Sequence, residues 1–178
     1  MMNCWHVLPV RLHVYFLLMP KKHAALPSTY GRNINGLGNT LPNIQLAHKG
    51  LKGFFQHLGA HAICFQECKM PESKMSKEVV MVDGYESFWA VSQPPKTGYS
   101  GCTTYVHKQY SPTAAEADNL GSSVAAELGQ DDFFGDRPDI DKEGRFVLTD
   151  LAEFVLINVY VPNAGDHTGR ARLGFKCR

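Results

Sequence analysis

Residues 63–69 read Ile63-Cys-Phe-Gln-Glu-Cys-Lys69, and this stretch decides the fold. Together with His61 and Ala62 it forms "HAICFQ", a short run with apolar side chains on both faces of an extended chain. A strand that is apolar on both faces must be covered on both, so its sheet lies between two layers. Glu67 follows at once. Taken singly, an acid at a strand end more often faces water than binds anything. A carboxylate carried by a rigid, buried strand is nevertheless placed as a ligand is.

Upstream, Ile44, Ala47, Leu51, Phe55 and Leu58 recur at spacings of three and four, which predicts one amphipathic helix over 42–58. Gly59 is placed to cap it, while Gly50 and Gly53 weaken it. Downstream, strands are expected at Tyr85–Val91, Gly101–Lys108, Arg145–Leu151 and Phe154–Val161, the last two joined by a short link at Leu151-Ala-Glu153. Between Ser111 and Lys142 runs a polar stretch with Gly, Asp and Pro, expected as a long surface excursion. This order of helix, strand and further strands predicts an α/β sandwich with sheets inside and helices outside.

The 178 residues suit one domain or a large piece of one, and 44% hydrophobic content with 20% charge excludes a disordered chain. Eighteen basic against 17 acidic residues leave a net charge of +1, which neither requires nor excludes nucleic acid. Five cysteines without a CxxC pair, two of them (Cys64, Cys102) in apolar runs, fit reduced structural thiols in a reducing compartment. Residues 4–19, "CWHVLPVRLHVYFLLM", are too short and too polar to span a bilayer, so no membrane role is expected. Residues 1–31 therefore read as an atypical N-terminal extension. Organelle targeting, a leader from an imperfect gene assignment and an unexplained extension all stay open for it.

Five stretches, the opening one among them, matter by their order: "NINGL" at 33–37, "ICFQECK" at 63–69, "GYSG" at 98–101, "DKEGR" at 141–145 and "NVYVPNAG" at 158–165. Each alone is an ordinary turn or strand end. In this order they resemble the exonuclease III-like AP endonucleases of the endonuclease/exonuclease/phosphatase superfamily, from Asn33 to about Arg178. "VDGYESF" at 82–88, the long insertion opening "SPTAAEADNLGS", and the closing "GRARLGFKCR" are similar to the branch of the second eukaryotic AP endonuclease. "VPNAG" keeps an asparagine that animal members of that branch often replace.

The resemblance implies a partial α/β sandwich of two central sheets flanked by helices, truncated, with residues 32–178 as the N-terminal half of the domain. It implies a DNA repair nuclease that hydrolyses phosphodiesters 5′ to abasic sites, with 3′–5′ exonuclease or 3′-phosphodiesterase activity. The expected partner is abasic or 3′-blocked duplex DNA, and the expected location is the nucleus. Such hydrolysis calls for a hard divalent cation, Mg²⁺ or alternatively Mn²⁺, to polarise the phosphoryl group. Mg²⁺ takes oxygen ligands, often only one or two carboxylates among them. By resemblance Glu67 is the metal ligand, with Asn33 beside the metal and Asn35 at a position where many members carry an acid. Lys69 stands two residues on, on the same side of an extended chain, to meet phosphate. Tyr99, Ser100 and Gly101 resemble a DNA-backbone contact loop. Tyr160 and Asn163 resemble the catalytic tyrosine and amide that hold the scissile phosphate. Arg145 reads as a structural partner of Glu143 or Asp141.

Two family motifs have no counterpart in the sequence: a Gly-Asp-x-Asn strand and a terminal Ser-Asp-His segment. Gly165-Asp166-His167 lies where a loop entering a helix is expected and is read as a decoy. Arg32 stands where an apolar residue is expected in the first strand. The chain as it stands is expected to be weakly active or inactive, with apolar sheet surface left uncovered. The competing readings are a non-catalytic DNA-binding fragment, a phosphoinositide phosphatase and an RNA deadenylase.

Overall fold

All five residues of the strand Ala62–Gln66 are buried, so the two-sided apolar reading holds in the folded chain. The computed structural model describes residues 6–7, 14–20, 27–110, 114–116, 142–151 and 154–161. In chain order the strands are β1 (His6–Val7), β2 (Val14–Pro20), β3 (Thr29–Asn33), β4 (Ala62–Gln66), β5 (Tyr85–Ala90), β6 (Cys102–His107), β7 (Ala114–Glu116), β8 (Phe146–Asp150) and β9 (Phe154–Tyr160). The helices are α1 (Leu37–His48), α2 (Leu51–Leu58) and α3 (Lys77–Val80). The strands make two sheets, β1-β2-β9-β8-β7 and β3-β4-β6-β5, and among the described residues β3 and β4 alone pair in parallel. With one sheet packed on the other and helices outside the β3-β4-β6-β5 sheet, they form the α/β sandwich expected from the order of elements.

β4 shows why both its faces are apolar. Ile63 and Phe65 point to the helices and join Leu37, Ile44, Leu51, Phe55 and Tyr105 in the largest cluster. Ala62 and Cys64 point the other way and, with Val106 of the neighbouring β6, meet Phe154 and Leu156 of the second sheet and Leu151 of its β8–β9 link. Phe55 is fully buried against Phe65, Tyr85 and Tyr105, with ring centroids 6.2, 5.1 and 4.8 Å away. Burying such a ring contributes about 2–3 kcal/mol, and its removal would also leave a cavity. β9 alternates as a half-covered strand should: Phe154, Leu156 and Asn158 are buried, while Val155, Ile157 and Val159 are only partly so.

One polar bridge crosses between the sheets. Asn158 of β9 donates to Phe65 O (3.3 Å) and Thr103 O (3.0 Å) and accepts from Gln66 Nε2 at 2.5 Å. Both amides are fully buried, so this bridge fixes which residues of the two sheets oppose each other.

The expected single helix over 42–58 is two helices. Lys49 turns into the left-handed region (φ 62°) with its N–H on Gln45 O, and Gly50 follows at φ 111°. α2 then folds back on the end of α1. A Cβ on Gly53 would lie 1.9 Å from His48 O, so that glycine is a packing requirement. α1 also begins earlier than periodicity suggested, because the N–H groups of Gly36 and Leu37 donate to Glu67 O (2.7 Å) and Cys68 O (2.8 Å).

β3 forms although Arg32 interrupts its apolar character. It is an edge strand, and Arg32 projects to solvent, where a charge is tolerated and blunts further pairing. The strand also crosses the expected boundary between residues 31 and 32. Within residues 1–31, β2 pairs antiparallel with β9 from Val14 opposite Tyr160 to Pro20 opposite Phe154. The stretch read as an atypical N-terminal extension thus supplies a strand of the second sheet. Leu151 N donates to Phe154 O at 2.9 Å across the β8–β9 link. Of the long excursion only β7 and Lys142 lie among the described residues. Cys64, Cys68 and Cys102 are buried free thiols, whereas Cys4 and Cys177 lie outside the described residues. Among the described residues no helix is long and apolar enough to cross a membrane.

Candidate active site

The polypeptide leaves β4 through a tight, laced turn. Gln66 O still accepts Ile34 N at 3.0 Å, continuing the pairing with β3. Beyond it, Cys68 N donates to Gly101 O (2.9 Å) and Lys69 N to Ser100 O (2.8 Å). With the bonds from Gly36 and Leu37, the Glu67–Lys69 backbone is stitched to the Asn33–Leu37 turn on one side. On the other side it is stitched to the Gly98–Gly101 loop. Three stretches far apart in sequence meet here because they share one strand end.

This turn corrects one expectation. Glu67 and Lys69 are not in extended chain; both lie in the left-handed region, at φ 52° and 48°. Asn35 (φ 48°) and Ser100 (φ 54°) do so too. Four of the five non-glycine residues with positive φ among the described residues therefore gather at this point. Such conformations cost energy and persist only where surrounding bonds over-determine them.

The side chains converge as well. Asn33 Nδ2 donates to Glu67 Oε1 at 2.6 Å, and Asn33 Oδ1 accepts Asn35 N at 3.0 Å. Lys69 Nζ lies 3.0 Å from Glu67 Oε2 and also donates to Asn35 Oδ1. From the other sheet, the Tyr160 phenol stands near enough to Glu67 to lower its pKa. Burial alone would raise the Glu67 pKa; the hydrogen bonds from Asn33, Tyr160 and Lys69 outweigh it and hold the carboxyl below its ordinary value. Burial, then the neighbouring carboxylate, pushes the Tyr160 phenol up to about 12. At neutral pH the site therefore holds an ionised acid facing a neutral hydroxyl donor.

The residue that sequence reading set aside is Arg145. Its guanidinium is 4% exposed, pairs through Nε with Glu143 as expected, and donates from Nη2 to Tyr99 Oη at 3.3 Å. It also lies over two rings, 4.7 Å from the centroid of Tyr160 and 5.5 Å from that of Tyr99. Nη1 is buried without a partner. Gly144 makes this possible: at φ 62° its α-carbon is pressed on the backbone of Ala90 and Val91, where an added Cβ would lie 2.5 Å from Val91 C. The available signal was a glycine-arginine pair at the entry to a strand, which has no period to reveal it.

Of the expected site residues, Asn33, Asn35, Glu67, Lys69 and Tyr160 are drawn together by these bonds. The loop of Tyr99, Ser100 and Gly101 packs beside them. Gly101 lies with its α-carbon against Cys68 and Lys69, and Ser100 Oγ is buried without a partner. Tyr99 N donates to Ser92 Oγ at 3.3 Å. Asn163, Asp141 and the Gly165–His167 stretch lie outside the described residues. Among the described residues no three His, Cys, Asp or Glu side chains cluster as a metal cage. The Glu67 carboxylate and, on its neighbours, the Asn33 and Asn35 amide oxygens, which accept from Asn35 N and Lys69 Nζ, are hard oxygens. They suit a cation that keeps most of its water, as Mg²⁺ does.

The chain is similar to known proteins in both sequence and fold. No protein-family model matches it. It is 31% identical over 164 residues to DNA-(apurinic or apyrimidinic site) endonuclease 2 of Schizosaccharomyces pombe, covering 80% of this chain and 31% of that protein. The Homo sapiens protein of the same name is 29% identical over 164 residues, covering 83% and 31%. The Xenopus laevis APE2 catalytic domain superposes with a TM-score of 0.52 at 28% identity, over 76% of this chain and 45% of that one. The chain spans about a third of the length of the curated relatives it matches. On these likenesses, the chain is similar to the exonuclease III-like AP endonucleases over about a third of their length.

Proposed function

We propose that the chain is part of a DNA repair nuclease of the second eukaryotic AP endonuclease branch, with residues 32–178 forming the N-terminal part of its nuclease domain. Its reaction is metal-dependent phosphodiester hydrolysis on abasic or 3′-blocked duplex DNA, and its place is the nucleus. One observation carries the reading. A single carboxylate, Glu67, is held ionised in a strained turn by Asn33, Tyr160 and Lys69.

Each residue then has a physical task. Glu67, with Asn33 and Asn35, would hold Mg²⁺ or Mn²⁺. Such a cation, when bound, polarises the phosphoryl oxygens and offsets the charge that builds up there. Lys69 is half-exposed beside Glu67 and can turn its ammonium to substrate phosphate. Tyr160 keeps its proton and offers a hydroxyl to a phosphate oxygen, with Asn163 adding an amide donor. Tyr99, Ser100 and Gly101 form the loop against which the DNA backbone would lie.

Cleavage of an abasic-site duplex and a 3′-recessed duplex, with and without Mg²⁺, tests the reaction. Mn²⁺ binding followed by electron paramagnetic resonance tests the site independently of activity. Glu67→Gln should weaken Mn²⁺ binding at least tenfold and abolish metal-dependent cleavage. Equal Mn²⁺ affinity in wild type and Glu67→Gln would remove Glu67 from the metal site. DNA binding without cleavage in Mg²⁺ would leave the chain a binding module.

A further inference from the structure

The nuclease reading leaves Arg145 unused, although it is among the most unusual side chains described. A guanidinium that is 4% exposed, with one nitrogen lacking any partner, is costly to keep unless its position matters. Its contacts run in a line. Glu143 anchors Nε, the Tyr99 hydroxyl takes Nη2, and the planar group lies over the Tyr160 ring. Tyr160 in turn stands beside the Glu67 carboxyl. The backbone repeats the connection, since Tyr160 N donates to Arg145 O at 2.8 Å.

We propose that Arg145 is a positioning residue that fixes the Tyr160 ring, and so its hydroxyl, against Glu67, and ties this to the loop that carries Tyr99. The proposal rests on reading Glu67 and Tyr160 as the nuclease centre. The chemistry requires arginine in particular. A guanidinium is flat, lies face-on over an aromatic ring and still directs donors outward in its plane, whereas a lysine ammonium is a point charge on a flexible stem. The placement also requires the Gly144 turn, which lets the chain pass tightly over Ala90 and Val91 before Arg145 enters between the rings. A substrate strand pressing on Tyr99 would be felt at Tyr160 through a single side chain.

Two variants and two readouts test this on the 178-residue chain. Aromatic ¹³C–¹H spectra report the Tyr160 ring, assigned by its loss in Tyr160→Phe. Tyr105, buried and bonded through its hydroxyl to Val79 O, serves as an internal control for the core. Arg145→Lys should shift and broaden the Tyr160 signals while those of Tyr105 stay in place. On the weak abasic-duplex cleavage expected of this chain it should also lower kcat about tenfold with KM within twofold. Glu143→Gln, at a half-buried position whose loss the fold tolerates better, should move Tyr160 in the same direction by a smaller amount. If Arg145→Lys fails to fold, the Glu143→Gln spectrum alone decides. Unchanged Tyr160 signals in a folded variant overturn the proposal. A wild-type chain that binds no Mn²⁺ and cleaves nothing overturns the nuclease reading instead, and the spectra still settle whether Arg145 holds the ring.

Discussion

Gly144→Ala and Gly59→Ala form a matched pair that isolates one term of the packing argument. Both glycines have the same backbone, φ 62° and 59°. Any L-residue there meets its own carbonyl, at a cost of about 1–2 kcal/mol, partly offset by about 0.4–1 kcal/mol because alanine restricts the unfolded chain. The surroundings differ completely. A Cβ at Gly59 has nothing within 4 Å, whereas one at Gly144 lies 2.5 Å from Val91 C and 2.8 Å from both Ala90 O and Val91 O. Those are backbone atoms of the loop entered from β5, so no side chain can swing aside. Relieving such contacts costs about 1–3 kcal/mol more by the measure of overpacked cores. The expected losses are therefore about 1 kcal/mol for Gly59→Ala and about 2–4 kcal/mol for Gly144→Ala. Urea unfolding followed by circular dichroism measures both, provided the slopes agree with wild type. Equal losses in the two variants, within about 0.5 kcal/mol, would refute the steric account of Gly144 given the additive error expected for distant sites.

Three further outcomes follow from the same coordinates. Asn158→Ala removes four hydrogen bonds between the sheets, to Phe65 O, Thr103 O, Thr104 Oγ1 and Gln66 Nε2, and leaves Gln66 Nε2 only Cys64 O; at about 1 kcal/mol for each of the amide's two N–H groups and its oxygen, plus a small cavity, a loss of about 3–4 kcal/mol is expected in urea unfolding. Because the folded Glu67 pKa lies below its ordinary value near 4.5, the stability it contributes is present above that value and lost as pH falls through the folded one. The stability difference between wild type and Glu67→Gln should accordingly shrink between pH 6 and 3, and a difference independent of pH would exclude the ionised form as the stabilising one. Cys64, Cys68 and Cys102 are buried, and desolvation raises all three thiols, Cys64 to about 12. Alkylation followed by peptide mapping should leave them unmodified in the native protein and modified in urea; rapid native labelling of any of them would contradict the packing around β4.

Much of this architecture was legible from local pattern. Periodicity shows how wet each side of a segment is, so the two-sided burial of β4 and the presence of β5, β6, β8 and β9 could be read from the sequence. The same logic placed Phe55 and Leu51 in the core, yet it missed the break at Lys49. A left-handed lysine and a backbone contact between Gly53 and His48 O leave no trace in an apolar period. The meeting of Asn33, Asn35, Glu67, Lys69 and Tyr160 was anticipated from the order of five short stretches. Its geometry was not: the expected extended Glu67–Lys69 segment is a strained turn, because four backbone bonds from two neighbouring loops bend it.

The sequence by itself determined that a strand buried on both faces must end in a carboxylate, and which motifs would surround it. Tertiary structure alone decided that Arg145 lies between Tyr99 and Tyr160, that β2 joins the second sheet beside β9, and that Asn158 reaches Phe65 O across 93 residues. The physical reason is one of range. Burial and turn chemistry act between neighbours along the chain, so residue order encodes them. Stacking, strand pairing and inter-sheet hydrogen bonds depend on two surfaces meeting in a register that no local stretch contains.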